Sequence, residues 1–193
     1  MKDSRPGGFV VIGNDDRQTG TGASASQTLD YILGQNDHSD SLFHDRIDVE
    51  NIGIAGYSQG GAGALRAVTE YENGNQYKVL FTGSAAHAYL SQMWGGYDAS
   101  KVSVPWFMTA GTGTSDDAGV PDLSLEWGGV APLSSLIENY NNAADDIFKV
   151  RARVVGAEHE EMQRKTDGYM TAWMLYQLQG DEEAGRVFIG GNV

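Results

Sequence analysis

Residues 56–63 read Gly56-Tyr57-Ser58-Gln59-Gly60-Gly61-Ala62-Gly63. A serine between glycines, after the apolar run Ile52-Gly53-Ile54-Ala55 and before a helical pattern, sits in the context that makes its hydroxyl a nucleophile. A sharp turn from strand to helix holds such a serine in a strained backbone conformation and lifts the hydroxyl above the sheet edge. Side chains at both flanking positions are expected to collide with neighbouring backbone, hence Gly56 and Gly60. The helix that starts there brings unpaired amides and a positive dipole end to the same point, where they stabilise developing negative charge. The competing reading is a glycine-rich turn with an incidental serine.

A serine nucleophile needs a base, and the base needs an orienting carboxylate. Val154-Val155-Gly156-Ala157-Glu158-His159 puts a histidine just past a strand-like run. Ala110-Gly111-Thr112-Gly113-Thr114-Ser115-Asp116-Asp117 puts two carboxylates just past another. The chain order is Ser, Asp, His, as expected when three such loops meet above one sheet. One of Asp116 and Asp117 orients the imidazole, and the other is a turn residue, a role that Asp favours. Against this stands a solvent-facing His159 among Glu158, Glu160 and Glu161. His38, His44 and His87 have no partner pattern, and His38 and His44 fall in a polar loop.

The elements that must position these groups alternate along the chain. Phe9-Val10-Val11-Ile12, bounded by Gly8 and Gly13, predicts a first buried strand. Ser24-Ala25-Ser26-Gln27 reads as a capping box that opens a helix with Ala25, Leu29, Ile32 and Leu33 on its apolar face and a stop at Gly34. Residues 35–48 read as a polar surface loop. The Ile52–Ala55 strand leads into a helix marked by Ala62, Leu65, Ala67 and Val68, which Asn73-Gly74 ends. Val79-Leu80-Phe81 is the third strand, Pro105-Trp106-Phe107-Met108 opens the fourth, and residues 147–155 form the fifth. Helices are expected over residues 132–140 and 167–179. Five strands alternating with helices predict an α/β fold, one domain over residues 1–193, with a mostly parallel sheet covered on both faces. Functional residues then belong at the carboxyl ends of the strands. Tyr169, Trp173 and Tyr176 at helical spacing are expected in the core. Trp94, Tyr97 and Trp127, in irregular segments, are expected to line a substrate cleft.

Composition removes several alternatives. The chain has 193 residues, with 26 acidic against 13 basic side chains and a formal charge of −13. A nucleic-acid or anionic-membrane partner therefore lacks a basic patch, the nearest being Arg151 and Arg153 on one side of a strand-like run. With no cysteine there is no disulfide frame, thiolate nucleophile or Cys-ligated metal. No stretch approaches the ~20 apolar residues of a membrane span, and Met1-Lys2-Asp3-Ser4-Arg5-Pro6 has no secretion-signal pattern. G-x-x-x-x-G-K-[ST], G-x-G-x-x-G and H-E-x-x-H are all missing, so phosphate, dinucleotide and zinc readings lack motif support. The chemistry described needs no metal or organic cofactor.

Taken together, the chain resembles the α/β-hydrolase superfamily. It is most similar to the single-domain branch of polyester (PET) hydrolases and cutinase-like esterases, chlorophyllase-like proteins and serine relatives of dienelactone hydrolase. The matching pieces are Gly8-Phe9-Val10-Val11-Ile12, Gly56-Tyr57-Ser58-Gln59-Gly60-Gly61, Asp117-Ala118-Gly119-Val120-Pro121, Gly156-Ala157-Glu158-His159-Glu160, and the closing stretch from Thr171 to Ala184. The resemblance implies Ser58 as nucleophile, His159 as base, Asp117 as its orienter through the D-x-x-V-P match, and the Gln59 amide as one oxyanion donor. It implies a carboxylic-ester hydrolase acting on small or polymeric esters through an acyl-enzyme. In the family, several strands precede the Gly-Phe-Val-Val strand, and a loop among them gives the second oxyanion amide. Only seven residues precede Gly8, so the expectation is a sheet short of its amino-terminal strands, with Asn14-Asp15-Asp16-Arg17-Gln18-Thr19 as the substitute donor loop. An exposed sheet edge of that kind favours a homodimer. The alternatives are a non-catalytic binding module of the same fold and an acyltransferase using the same three residues.

Overall fold

The computed structural model describes residues 8–118 and 128–189. Its sheet has four strands: β1 (Ile52–Tyr57), β2 (Tyr77–Gly83), β3 (Trp106–Gly111) and β4 (Lys149–Val154). They lie in the order β1-β2-β3-β4, and every neighbouring pair is parallel. Successive side chains along a strand point to opposite faces. Leu80, Trp106, Met108 and Ala110 thus enter one buried cluster, while Val79, Phe81 and Phe107 enter another. Both faces of β2 and β3 being covered, these strands read as continuous apolar runs rather than alternating ones.

Helices supply the two covers. Helix α1 (Ala23–Asp37) contributes Leu29 and Ile32 to the first cluster, α2 (Gln59–Glu70) contributes Leu65 and Ala67, and α3 (Leu133–Asn142) contributes Leu136. Helices α4 (Met162–Gln179) and α5 (Glu182–Ile189) cover the other face through Trp173 and Phe188. Trp173 is fully buried, and its indole N–H donates to the Leu80 carbonyl at 3.1 Å. Its ring meets those of Phe107, Phe148 and Phe188, with centroids 5.7, 5.4 and 5.0 Å away. The protein is therefore α/β with an all-parallel four-stranded sheet flanked by helices. Among the described residues no helix is long and apolar enough to cross a membrane.

Three expectations change. Phe9–Ile12 forms no strand, and all four side chains are exposed. An apolar run becomes a strand only where a ladder partner takes its hydrogen bonds. Here Ile12 to Asp16 instead face Ala23, Ser24, Gln27, Thr28 and Tyr31 of α1 across an open cleft. The helix cap also differs. Gly22, with φ 76°, is the N-cap of α1, and Ser24 lies within the first turn with its Oγ buried and without a partner, so the capping box does not form. The helix runs through Gly34 to Asp37, where His38 N–H closes it on the Gly34 carbonyl at 3.1 Å. Finally, α4 starts at Met162, and Tyr169 on it is 54% exposed, outside the core that Trp173 anchors.

Truncating Trp173 to alanine is expected to cost about 3–5 kcal/mol of stability. Tyr169→Ala on the same helix is expected to stay within about 0.5 kcal/mol. Urea unfolding followed by far-ultraviolet circular dichroism measures both.

Candidate active site

The carboxyl ends of all four strands converge on one group of side chains. Ser58 follows β1 directly, at φ 55° and ψ −122°, a region that non-glycine residues rarely occupy. The turn is fixed from several sides. Ser58 N–H donates to the Gly83 carbonyl at 2.9 Å, and the Ser58 carbonyl accepts from Gly61, Ala62 and Ala86 at 3.0, 3.3 and 3.1 Å. A Cβ on Gly56 would run into the Gly60 carbonyl and lie 2.8 Å from the Gly61 nitrogen. Gly60, expected to be equally crowded, has only Thr19 Oγ1 nearby, 3.9 Å from where a Cβ would stand. The second crowded position is Gly61, where a Cβ would meet Ala85 Cβ at 2.7 Å. The steric demand thus falls on the second residue before the serine and the third after it.

His159 Nε2 lies 2.8 Å from Ser58 Oγ, and its Nδ1 lies 2.6 Å from Asp116 Oδ1. With the Nδ1 proton given to the carboxylate, Nε2 is left to accept from the serine hydroxyl. Asp116 therefore stands where Asp117 was expected. Asp117 turns to the other side of the loop and pairs with Arg153, whose guanidinium also donates to the Gly111 carbonyl at 2.8 Å. The tight turn explains the choice. Both Asp116 and Asp117 N–H groups donate to the Gly113 carbonyl, at 3.1 and 2.7 Å, and the two side chains diverge from it. A segment from Gly128 to Ala131 supports the turn from behind, with Val130 N–H on the Ser115 carbonyl at 3.0 Å and Ala131 N–H on that of Asp116 at 3.2 Å.

Asp116 is fully buried. Its Oδ2 accepts from the Ser84 hydroxyl at 2.5 Å and from Gly111 N–H at 2.7 Å. Burial alone would raise its pKa, but the hydrogen bonds from His159, Ser84 and Gly111 outweigh burial and hold it below the ordinary 3.8. Ser84, itself buried at φ 42° just past β2, is a site residue that sequence reasoning missed. So is Tyr57. Its hydroxyl donates to the His159 carbonyl at 2.6 Å, and its ring stacks on the imidazole at 4.9 Å. A tyrosine beside Ser58 is a faint signal, and a serine after a strand is fainter still.

The other expected site residues are placed as follows. Gln59 opens α2, so its amide is one of those a helix leaves without an internal acceptor. Its side chain donates to the Arg17 carbonyl at 3.2 Å, bringing the Asn14–Thr19 loop beside the Ser58 turn. That contact is made by a carbonyl, which cannot steady an oxyanion. The Asp16 and Gln18 amides donate to Asn14 and Asp16 side chains, at 3.2 and 2.8 Å. Trp94 packs its indole against Gly20, where a Cβ would run into the ring. Tyr97 is a correction. It packs against the core, its hydroxyl accepts from Asn139 at 3.2 Å, and burial pushes its pKa up to about 12, so it lines no cleft. Trp127 and Gly119–Pro121 lie outside the described residues. Among the described residues, no cluster of three or more His, Asp or Glu could hold a metal ion. No protein-family model and no curated protein matches the chain.

The geometry assigns the two adjacent carboxylates different weights. Asp116→Asn is expected to slow phosphonylation of Ser58 by a fluorophosphonate by about 10⁴-fold, the typical cost of losing the correct tautomer. Asp117→Asn is expected to leave that rate within about threefold. The linkage has a definite sign as well. Folding lowers the pKa of Asp116, so its contribution to stability is present above its unfolded value of about 3.9 and fades as pH falls through the folded value. The wild type should therefore lose more stability than Asp116→Asn on going from pH 5 to pH 2, as read from urea midpoints.

Proposed function

We propose that the chain is a serine carboxylic-ester hydrolase of the α/β-hydrolase type, akin to the PET hydrolase, cutinase-like and dienelactone-hydrolase-related branch. The observation that carries the reading is the unbroken relay from Ser58 Oγ through His159 to Asp116, at 2.8 and 2.6 Å, on a strained turn between β1 and α2.

In this reading, Ser58 Oγ attacks the ester carbonyl carbon while its proton passes to His159 Nε2. Asp116 stays ionised and stabilises the imidazolium. The carbonyl oxygen, now negative, lies toward the amino end of α2, where the Gln59 amide donates to it. Collapse of the tetrahedral intermediate breaks the bond to the alkoxy oxygen, which leaves as the alcohol with the proton from His159. Water then enters, His159 removes its proton, and the same sequence releases the acid and restores Ser58. No group beyond this chain's own residues is required. The acidic surface, −13 overall, favours neutral acyl groups over anionic ones.

Hydrolysis of p-nitrophenyl acetate and butyrate by the purified protein beside Ser58→Ala tests the reading. Loss of turnover by about 10³-fold or more in the variant is the expected result. Equal rates in both proteins would remove the esterase and favour a binding module. Adding methanol separates hydrolysis from acyl transfer, since a transferase would yield chiefly the methyl ester.

A further inference from the structure

Two residues beside the relay touch none of the reacting atoms, yet they join the loops that carry Asp116 and His159. Ser115 precedes Asp116, and Glu158 precedes His159. Ser115 Oγ accepts the His159 backbone N–H at 2.7 Å and donates its own proton to Glu158 Oε2. The same carboxylate accepts Ser115 N–H at 2.8 Å and Thr114 N–H at 3.2 Å. Behind it, Glu158 N–H donates to Glu161 Oε2 at 3.0 Å, and Glu161 N–H is held in return, closing a reciprocal cap. Resting on the esterase reading, we propose that Ser115 and Glu158 form a positioning clamp that holds the imidazole of His159 between Asp116 and Ser58 and so governs turnover rather than substrate affinity.

His159 stands on a short connecting turn. It opens a single three-residue turn (His159–Glu161) just after Gly156 at φ 69°, outside any strand or long helix. An imidazole there must bridge two partners at once, and a misplacement of about 1 Å can cost 10²-fold in rate. Its backbone is accordingly held at both ends, the N–H by Ser115 Oγ and the carbonyl by Tyr57. Proton count then makes an anion the right partner for Ser115. A hydroxyl has one proton, and an ionised carboxylate can only accept. Glu158 therefore draws that proton to itself and leaves the Ser115 lone pairs for the His159 N–H. The hydroxyl and N–H of Ser115, with Thr114 N–H, hold the Glu158 pKa below its ordinary value, so the carboxylate stays ionised. A Cβ on Gly113 would lie 2.6 Å from both Glu158 oxygens, so glycine is what lets the carboxylate approach this loop.

Ser115→Ala and Glu158→Gln remove the clamp directly. Gly113→Ala displaces the carboxylate without altering either clamp residue. Ser115→Thr keeps the hydroxyl and serves as the conservative rescue. For each, kcat and KM on p-nitrophenyl butyrate, the fluorophosphonate rate at Ser58, and the thermal midpoint are measured beside the wild type. The expected result is a kcat loss of about 10–100-fold in the first three, KM within about twofold, and near-wild-type turnover in Ser115→Thr. Fluorophosphonate rates should fall in parallel. Wild-type kcat in folded Ser115→Ala and Glu158→Gln overturns the clamp while leaving the esterase intact. A rise in KM at constant kcat, or a Ser115→Thr variant as slow as Ser115→Ala with an unchanged thermal midpoint, also overturns it. A wild type that neither hydrolyses the ester nor takes the phosphonate overturns the esterase reading itself, and the clamp falls with it.

Discussion

Asp116 has no exposed surface, and a carboxylate removed from water must find hydrogen bonds for the lone pairs that water would have filled. An unpaired charge there would cost several kcal/mol. Three donors meet it: the Gly111 amide at the end of β3, the Ser84 hydroxyl at the end of β2, and the His159 imidazole beyond β4. Each comes from a different strand, so the strand ends must stop at matching heights for the buried charge to be tolerated. Parallel pairing supplies that alignment, since Gly83 pairs with Thr109, and Gly111 with Val154, within one sheet. The arrangement that satisfies Asp116 is also the one that leaves His159 with a free acceptor nitrogen facing Ser58.

The Ser58 turn imposes the second constraint, and it reaches further than the serine. Ser58 at φ 55° is held because its own carbonyl takes three amides, two from α2 and one from Ala86 beyond β2. The close approach of Ala85 that makes this possible is what crowds Gly61. Strain of this kind persists only where surrounding structure over-determines it. Here the over-determination is shared between the helix start and the segment 84–86, which also carries Ser84 to Asp116. The strained serine and the buried carboxylate are thus supported by one stretch of chain.

Much of this was legible in the sequence, for reasons that particular residues make plain. β2 and β3 announce themselves because burial on both faces demands unbroken apolar runs, and Trp106-Phe107-Met108 leaves little alternative. Ser58 and His159 are legible because their chemistry restricts the residue types around them. The choice between Asp116 and Asp117 was not, since a hydrogen-bonded turn decides it and neighbours in sequence share every compositional cue. Arg153 held the missing hint. A cation at the end of a strand needs a carboxylate, and Asp117 answers it. Phe9–Ile12 misled because apolarity and flanking glycines describe a strand's needs but not whether a neighbour is there to pair with it. Tyr97 misled in the opposite direction, because an aromatic in an irregular segment is as ready to fill a core as a cleft.

Tyr57 shows how the two constraints meet. It directly precedes Ser58, and its hydroxyl reaches the His159 carbonyl while its ring lies on the imidazole. The residue next to Ser58 is thereby tied directly to His159, so the Ser58 turn and the His159 loop are held to each other. That coupling requires the phenol to keep its proton. Burial, reinforced by the nearby charges of Asp116 and Glu160, raises its pKa above the ordinary 10.0, so it stays a donor further into the alkaline range. Asp116, buried in the same site, is by contrast kept charged by the hydrogen bonds from His159, Ser84 and Gly111.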